Sequence, residues 1–151
     1  MIHIQIEEPF EGLIAPEVLE RAALETLRHQ SHDLAAELSV VIDSDEKLQQ
    51  LNREFLGIDA PTDVLSFPSE EFDPDEQAEY IGDIIISYPR ALTQAQAAGH
   101  PVGNEIQLLV VHGVLHLLGY DHADPAEKSR MWQAQSEILT SLGVSILKLP
   151  E

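Results

Sequence analysis

The chain has 151 residues, 44% of them hydrophobic, and 27 acidic against 8 basic residues give it a formal net charge of −19. Length and composition predict a single globular domain over residues 1–151, and the negative charge argues against a general nucleic-acid binder, whose surface is basic. The sequence has no cysteine, no basic and apolar leader and no apolar run of about 20 residues, which excludes disulfides, thiolate metal sites and a membrane span and predicts a cytoplasmic protein.

The N-terminal part of the chain predicts a strand, a helix and a second strand. Residues 2–7 alternate apolar and polar side chains, as a half-buried strand does. Pro16 begins a helix with an apolar stripe that ends near His29. Residues 38–42 form a short β-branched run, which is typical of an interior strand.

The middle of the chain predicts a helix followed by a hairpin. Asp43 and Glu46 match a capping box, which predicts that the second helix begins there. Residues 61–68 and 81–87 predict two strands that can pair as a hairpin. The acidic stretch between them, residues 69–79, is interpreted as a solvated surface loop.

Three helices complete the chain. One runs from about Ser87 to a stop at Gly99, and the next begins near Asn104. Asp124, a capping residue in front of a proline, marks the start of the last helix, which closes at Gly143. The elements together predict an α+β fold, in which about five helices surround a single small mixed sheet of about four strands.

The fourth predicted helix ends in the spacing His-x3-His-x5-His, formed by His112, His116 and His122. Histidines four residues apart project from the same face of a helix, and Gly119 can take the left-handed conformation that ends the helix and turns the third histidine back. Three converging imidazoles with one open position are typical of a catalytic zinc site. The alternative is a set of core histidines bonded to backbone carbonyls, which explains a lone histidine better than this spacing.

The same spacing occurs in the metzincin proteases, whose motif is His-Glu-x-x-His-x-x-Gly-x-x-His. Their glutamate is the general base that takes a proton from the zinc-bound water. Gly113 occupies that position here and cannot accept a proton. Proteolysis by that mechanism is therefore disfavoured, and what remains is the metal's own ability to activate water and to polarise a carbonyl or phosphoryl oxygen.

The histidine motif resembles the signature of the YbeY family, bacterial single-domain metal-dependent endoribonucleases. Two further segments agree with that family, namely Leu51-Asn52 followed by residues 61–68, and residues 82–87. The resemblance spans roughly residues 38–140. It implies one zinc ion per chain on the three histidines, a single-stranded RNA substrate, and a role in maturation of the 3′ end of 16S ribosomal RNA and in ribosome quality control. The implied partners are the RNA precursor and the ribosome or its small subunit, without DNA or a membrane.

One position departs from the family pattern. Family members place an arginine, thought to bind or help cleave the phosphate, where this chain has Leu56. A leucine cannot replace a guanidinium that clamps a phosphate with two hydrogen bonds. Arg53, one helical turn earlier, is a candidate substitute, and an ordinary solvated helix position is the alternative.

Further candidates lie near these motifs. Asp121, beside the third histidine, is a candidate general base, an acceptor that orients an imidazole, or a solvated turn residue. Alternation along a strand predicts that at most one of Asp63 and Ser66 faces the site. The basic groups that are candidates for phosphate contacts, with solvated positions as the alternative, are Arg90, Lys128 and Arg130.

Three functions are compatible with these residues. The first is a zinc-dependent endoribonuclease in which His112 is a zinc-associated catalytic residue. The second is a zinc hydrolase acting on a non-RNA substrate, which would need a base from outside the histidine motif. The third is a non-catalytic ribosome assembly factor whose zinc stabilises the fold.

Overall fold

A computed structural model describes residues 1–69 and 79–145. The elements in chain order are β1 (Ile2–Ile6), a short 3₁₀ helix (Glu8–Phe10), α1 (Pro16–His29), β2 (Glu37–Asp43), α2 (Asp45–Leu56), β3 (Val64–Pro68), β4 (Tyr80–Ser87), α3 (Tyr88–Ala98), α4 (Val102–Leu117) and α5 (Pro125–Ser141). The four strands form one sheet in the order β1-β2-β4-β3, in which only β3 runs antiparallel to its neighbour. The predicted α+β fold, with a small mixed sheet surrounded by helices, is confirmed for the described residues. In these two ranges no helix has the length and apolarity to cross a membrane.

The start of α2 differs from the predicted capping box. The hydroxyl of Ser44, not the carboxylate of Asp43, accepts a hydrogen bond from the backbone N–H of Lys47 at 3.1 Å. Asp43 is instead the last residue of β2, where it lies opposite Ser87 of β4. The prediction of a cap at Asp43 is wrong by one residue because the parallel pairing of β2 with β4 extends that far.

The predicted hairpin is formed by β3 and β4. Val64 lies opposite Ile86 and Pro68 opposite Gly82, so β3 occupies one edge of the sheet. Most of the acidic connection predicted as a solvated loop, residues 70–78, lies outside the described residues.

Helix α4 passes through the core and is mostly buried. It begins at Val102, two residues before the predicted start, because the carbonyl of Pro101 already accepts hydrogen bonds from the N–H groups of Asn104 and Glu105. It also approaches the sheet so closely that a Cβ atom at Gly113 would lie 2.9 Å from Cγ2 of Ile84.

This close approach predicts the effect of Gly113→Ala. The added methyl group must push apart α4 and β4, and such overpacking typically costs about 1–3 kcal/mol. For a chain of this length that corresponds to a fall in Tm of several degrees, at roughly 2–4 °C per kcal/mol. Gly103→Ala in the same helix is the matched control, because a Cβ there meets nothing within 4 Å. It should leave Tm unchanged or raise it, since alanine is the better helix former. Equal Tm values for the two variants would contradict the packing argument.

Candidate metal centre

The three histidines of the motif converge at the C-terminal end of α4. His112 and His116 lie on the last turns of the helix, and Gly119, with φ of 104°, reverses the chain after it. Nε2 of His116 lies 3.0 Å from Nε2 of His112 and 2.9 Å from Nε2 of His122. One ring nitrogen from each histidine lies within 4.8 Å of the others, so the group could hold a metal ion.

On His112 and His116, the ring nitrogen that points away from the cluster, Nδ1, is hydrogen-bonded to a carbonyl oxygen. Nδ1 of His112 lies 2.6 Å from the side-chain Oε1 of Gln135, and Nδ1 of His116 lies 2.8 Å from the backbone oxygen of Tyr120. A carbonyl oxygen only accepts, so both Nδ1 atoms must donate. In the neutral ring this leaves the lone pair on Nε2, and these lone pairs face one another. A cation placed between them would replace this repulsion with coordination.

The surroundings of these rings disfavour the imidazolium form. Burial, followed by the neighbouring His116, lowers the pKa of His112 from its ordinary 6.5 to about 4, against the opposing effect of the hydrogen bond that His112 donates to Gln135. Burial also lowers the pKa of His116. Both rings are therefore neutral at pH 7, which is the form that binds a metal.

The lowered pKa of His112 predicts how the metal-free protein responds to acid. Between pH 6.5 and about 4 the unfolded chain takes up a proton on this histidine while the folded chain does not. The contribution of His112 to the free energy of unfolding is therefore fully present above pH 6.5 and falls as the pH drops toward 4. Urea unfolding of metal-free protein at several pH values measures this slope. In His112→Gln, whose side chain does not titrate, the free energy of unfolding should depend less steeply on pH. Identical slopes in the two proteins would contradict the lowered pKa of His112.

Gln135 is expected to tune metal affinity through His112. Removing its carbonyl with Gln135→Leu leaves the Nδ1 proton of His112 without an acceptor, and loss of such an outer partner costs about 10–100-fold in metal affinity. Titration against a competing chelator measures the change. Gln133→Leu on the same helix is the control, because Gln133 is exposed and bonds to Glu137 instead. A Gln135 variant with wild-type affinity would rule out the orienting contact.

The histidines form one wall of a cavity of about 400 Å³. The opposite wall comes from the edge strand β3 and from the end of α2. The lining residues are Leu56, Asp63, Val64, Leu65, Ser66, Pro68 and the three histidines. Among the described residues this lining contains one carboxylate and neither lysine nor arginine.

The expectation that at most one of Asp63 and Ser66 faces the site is wrong, because both line the cavity. Asp63 precedes the first residue of β3, so strand alternation does not govern its direction. Its Oδ1 accepts from the backbone N–H of Val64 at 2.8 Å. The hydroxyl of Ser66, on the strand itself, lies 3.4 Å from the carbonyl oxygen of Gly113.

Leu56, the position at which the family resemblance predicted an arginine, lines the same cavity as the histidines. Arg53 is exposed, and its guanidinium lies 3.5 Å from the carboxylate of Asp59. Asp121 is exposed, and its Oδ1 accepts from the backbone N–H of His122 at 2.7 Å. The structure thus places Arg53 and Asp121 outside the cavity lining, and their catalytic roles stay predictions.

The other basic candidates also lie outside that lining. Arg90 makes two hydrogen bonds to the carboxylate of Asp45, at 3.0 and 2.9 Å, which raise the pKa of Arg90. The Lys128 ammonium lies 4.7 Å from the centre of the Trp132 ring. Arg130 lines a separate cavity of about 220 Å³ beside Asp121.

Gln135 is the site residue that the sequence analysis missed. It is fully buried on α5, within an apolar stripe that includes Met131 and Ile138. A polar side chain in such a stripe signals a buried partner. The partner itself, His112 on α4, is a tertiary contact that spacing within one helix cannot reveal.

Comparison with known proteins agrees with the geometry. The profile of the family described as Endoribonuclease YbeY matches residues 6–143. A protein named Endoribonuclease YbeY from Chloroflexus aurantiacus is 46% identical, over 95% of this chain and 96% of its own. One of the same name from Dehalococcoides mccartyi is 42% identical, over 86% of each chain. The solution structure of TM1509 from Thermotoga maritima superposes with a TM-score of 0.60 at 26% identity, covering 95% of this chain and 92% of the other. This chain belongs to the YbeY family.

Proposed function

We propose that this protein is a zinc-dependent endoribonuclease that cuts single-stranded RNA. The observation that carries the proposal is the convergence of three imidazoles on the wall of an open cavity, with Nε2 of His116 3.0 Å from that of His112 and 2.9 Å from that of His122. The names of the family relatives give the reaction class. The cavity beside the three nitrogens supports the proposal, since a phosphate of the RNA would enter it there.

The donor set fits zinc. Zinc accepts three histidine ligands and keeps a fourth position for water or substrate in its catalytic sites. The carbonyl oxygens of Gln135 and Tyr120, which accept from the Nδ1 atoms of His112 and His116, supply the orientation that such ligands need. When bound, one zinc ion per chain would lower the pKa of a water toward neutrality and offset charge on the scissile phosphate.

The chain's own residues would supply the remaining parts of the reaction. His112, His116 and His122 would hold the ion, and β3 with Leu56 would shape the wall against which the RNA lies. Gly113 has no side chain to act as a base, and a longer side chain there would crowd Ile84. Asp63, the one carboxylate among the described lining residues, would accept a proton from water.

The biological role that we infer is maturation of the 3′ end of 16S ribosomal RNA, together with ribosome quality control. The partners would be precursor RNA and the small ribosomal subunit in the cytoplasm, and residues 1–151 would act as one domain. The family resemblance of the histidine motif, residues 61–68 and residues 82–87 supports this role.

The alternative of a non-catalytic assembly factor has one observation in its favour. The cavity lining lacks a lysine or arginine among the described residues, and Leu56 occupies the position of the family's arginine. In that case the metal would stabilise the end of α4 without taking part in chemistry. A zinc hydrolase with a non-RNA substrate stays a further possibility, with Asp63 as its base.

A cleavage assay separates these functions. Purified wild-type protein, with zinc, is expected to cut single-stranded RNA and precursor 16S RNA, and to leave duplex RNA intact. His112→Ala should lose this activity while remaining folded by circular dichroism. Equal cleavage by the variant would show a contaminating nuclease, and no cleavage by zinc-loaded wild type would favour the assembly factor.

A further inference from the structure

An exposed apolar surface adjoins the histidine cavity at the end of α2. Phe55, Leu56 and Ile58 leave 64%, 57% and 53% of their surface exposed, and we call these three residues the α2 rim. Leu56 belongs to both the rim and the cavity lining. The rim is therefore continuous with the candidate metal centre.

The rim is held in place by the surrounding chain. Gly57, with φ of 72°, ends α2, and the backbone N–H of Ile58 donates to the carbonyl of Asn52. The buried side chain of Asn52 in turn donates to the carbonyl of Ala60 at 2.9 Å. These bonds hold the exposed side chains on an ordered turn.

The ring of Phe55 has a second support. Its centroid lies 5.3 Å from that of Phe67 on β3, at an angle of 59° between the planes. Phe67 is half-buried and fixes one side of the Phe55 ring. The remaining surface of Phe55 is offered to solvent as a preorganised aromatic face.

The charge around the cavity favours an uncharged ligand group on this face. The chain has a net charge of −19, and the described cavity lining contains Asp63 but no cation. Arg53, one turn before the rim, contacts Asp59. The α2 rim itself therefore offers a phosphate no cationic partner, whereas nucleobases are uncharged and stack on aromatic side chains regardless of their sequence.

We propose that Phe55 is a stacking subsite for an unpaired base of the RNA, close to the phosphate that enters the histidine cavity. This rests on the proposed function and gives a reason for a single-stranded substrate, since paired bases within a duplex do not expose their faces. Leu56 and Ile58 would flank the stacked base. Three side chains fit one base better than a protein partner, which buries roughly 800 Å² on each side of a standard interface.

The test uses zinc-loaded protein and short single-stranded RNAs that carry 2-aminopurine at successive positions, mixed by stopped flow so that fluorescence is read before cleavage. Wild type should quench the probe at one position near the cleavage site. Phe55→Leu, which keeps the apolar surface but removes the ring, should lose this quenching and bind roughly 5- to 100-fold more weakly. Phe55→Tyr should restore both, and Leu13→Ala, at a remote exposed site, should behave as wild type.

The outcomes separate this subsite from the proposed function. Wild-type quenching and affinity in Phe55→Leu would overturn the subsite, and the RNA cleavage measured in parallel would still stand. Stacking without any cleavage would retain the subsite and refute the nuclease. If Phe55→Leu keeps the quenching and the RNA affinity but loses binding to small ribosomal subunits, the rim contacts the assembled subunit and the base-stacking subsite is refuted.

Discussion

His116→Ala is expected to release the metal and to abolish RNA cleavage. Nε2 of His116 lies within 3.0 Å of both other ligand nitrogens, so its removal opens the centre of the cluster. Even outer-shell partners are worth about 10–100-fold in metal affinity, and loss of a direct ligand should exceed that range. Zinc content measured after gel filtration should fall from about one per chain to near zero.

The same variant should also lose stabilisation by zinc. A metal present at about 100 times its Kd stabilises the folded state by about 2.7 kcal/mol. That corresponds to a rise in Tm of roughly 5–10 °C for a chain of this length, which wild type should show on zinc addition and His116→Ala should not. His3→Ala is the control, because His3 is exposed on β1 and pairs with Glu37. Stoichiometric zinc in the His116 variant would contradict the assigned ligands.

Leu56→Arg is expected to strengthen RNA binding and to raise cleavage. Leu56 faces the histidine cavity, so a guanidinium there can meet a phosphate that the present lining leaves without a cation. A hydrogen bond to a charged group is worth about 1.5–3 kcal/mol, and exposure of this position reduces the gain to roughly 1 kcal/mol, or about 5-fold in Kd. One new phosphate contact should also steepen the dependence of log K on log salt by about 0.7.

The matched control for this substitution is Leu13→Arg. Leu13 is about as exposed as Leu56, but it lies outside both the cavity lining and the α2 rim. It adds the same charge, so any benefit of general electrostatic attraction appears in both variants. A gain confined to Leu56→Arg would support a phosphate near this wall, whereas equal gains would show only long-range attraction.

The elements of the fold were accessible from sequence because their signals are local. Gly99 and Gly143 mark helix ends, and Asp124 caps α5 through the N–H of Glu127 as predicted. The cap of α2 was misplaced because the end of β2 depends on pairing with β4. Such pairing is not encoded in residues next to Asp43.

The convergence of the three histidines could also be predicted, since two share a helical face and Gly119 turns the third back. The contacts that other helices and strands make with the histidine motif could not be predicted. Gln135 reaches His112 across 23 positions of sequence. The close packing of Gly113 against Ile84, which would crowd any side chain at that position, depends on the depth at which α4 docks on the sheet.

The most direct test of the central claim is RNA cleavage by one preparation before chelation, after chelation, and after zinc is restored. The three-histidine site predicts cleavage that disappears with the metal and returns with about one zinc per chain. His112→Ala should stay inactive in all three states. Undiminished cleavage by the fully metal-free protein would show that the reaction does not need a metal on the three histidines.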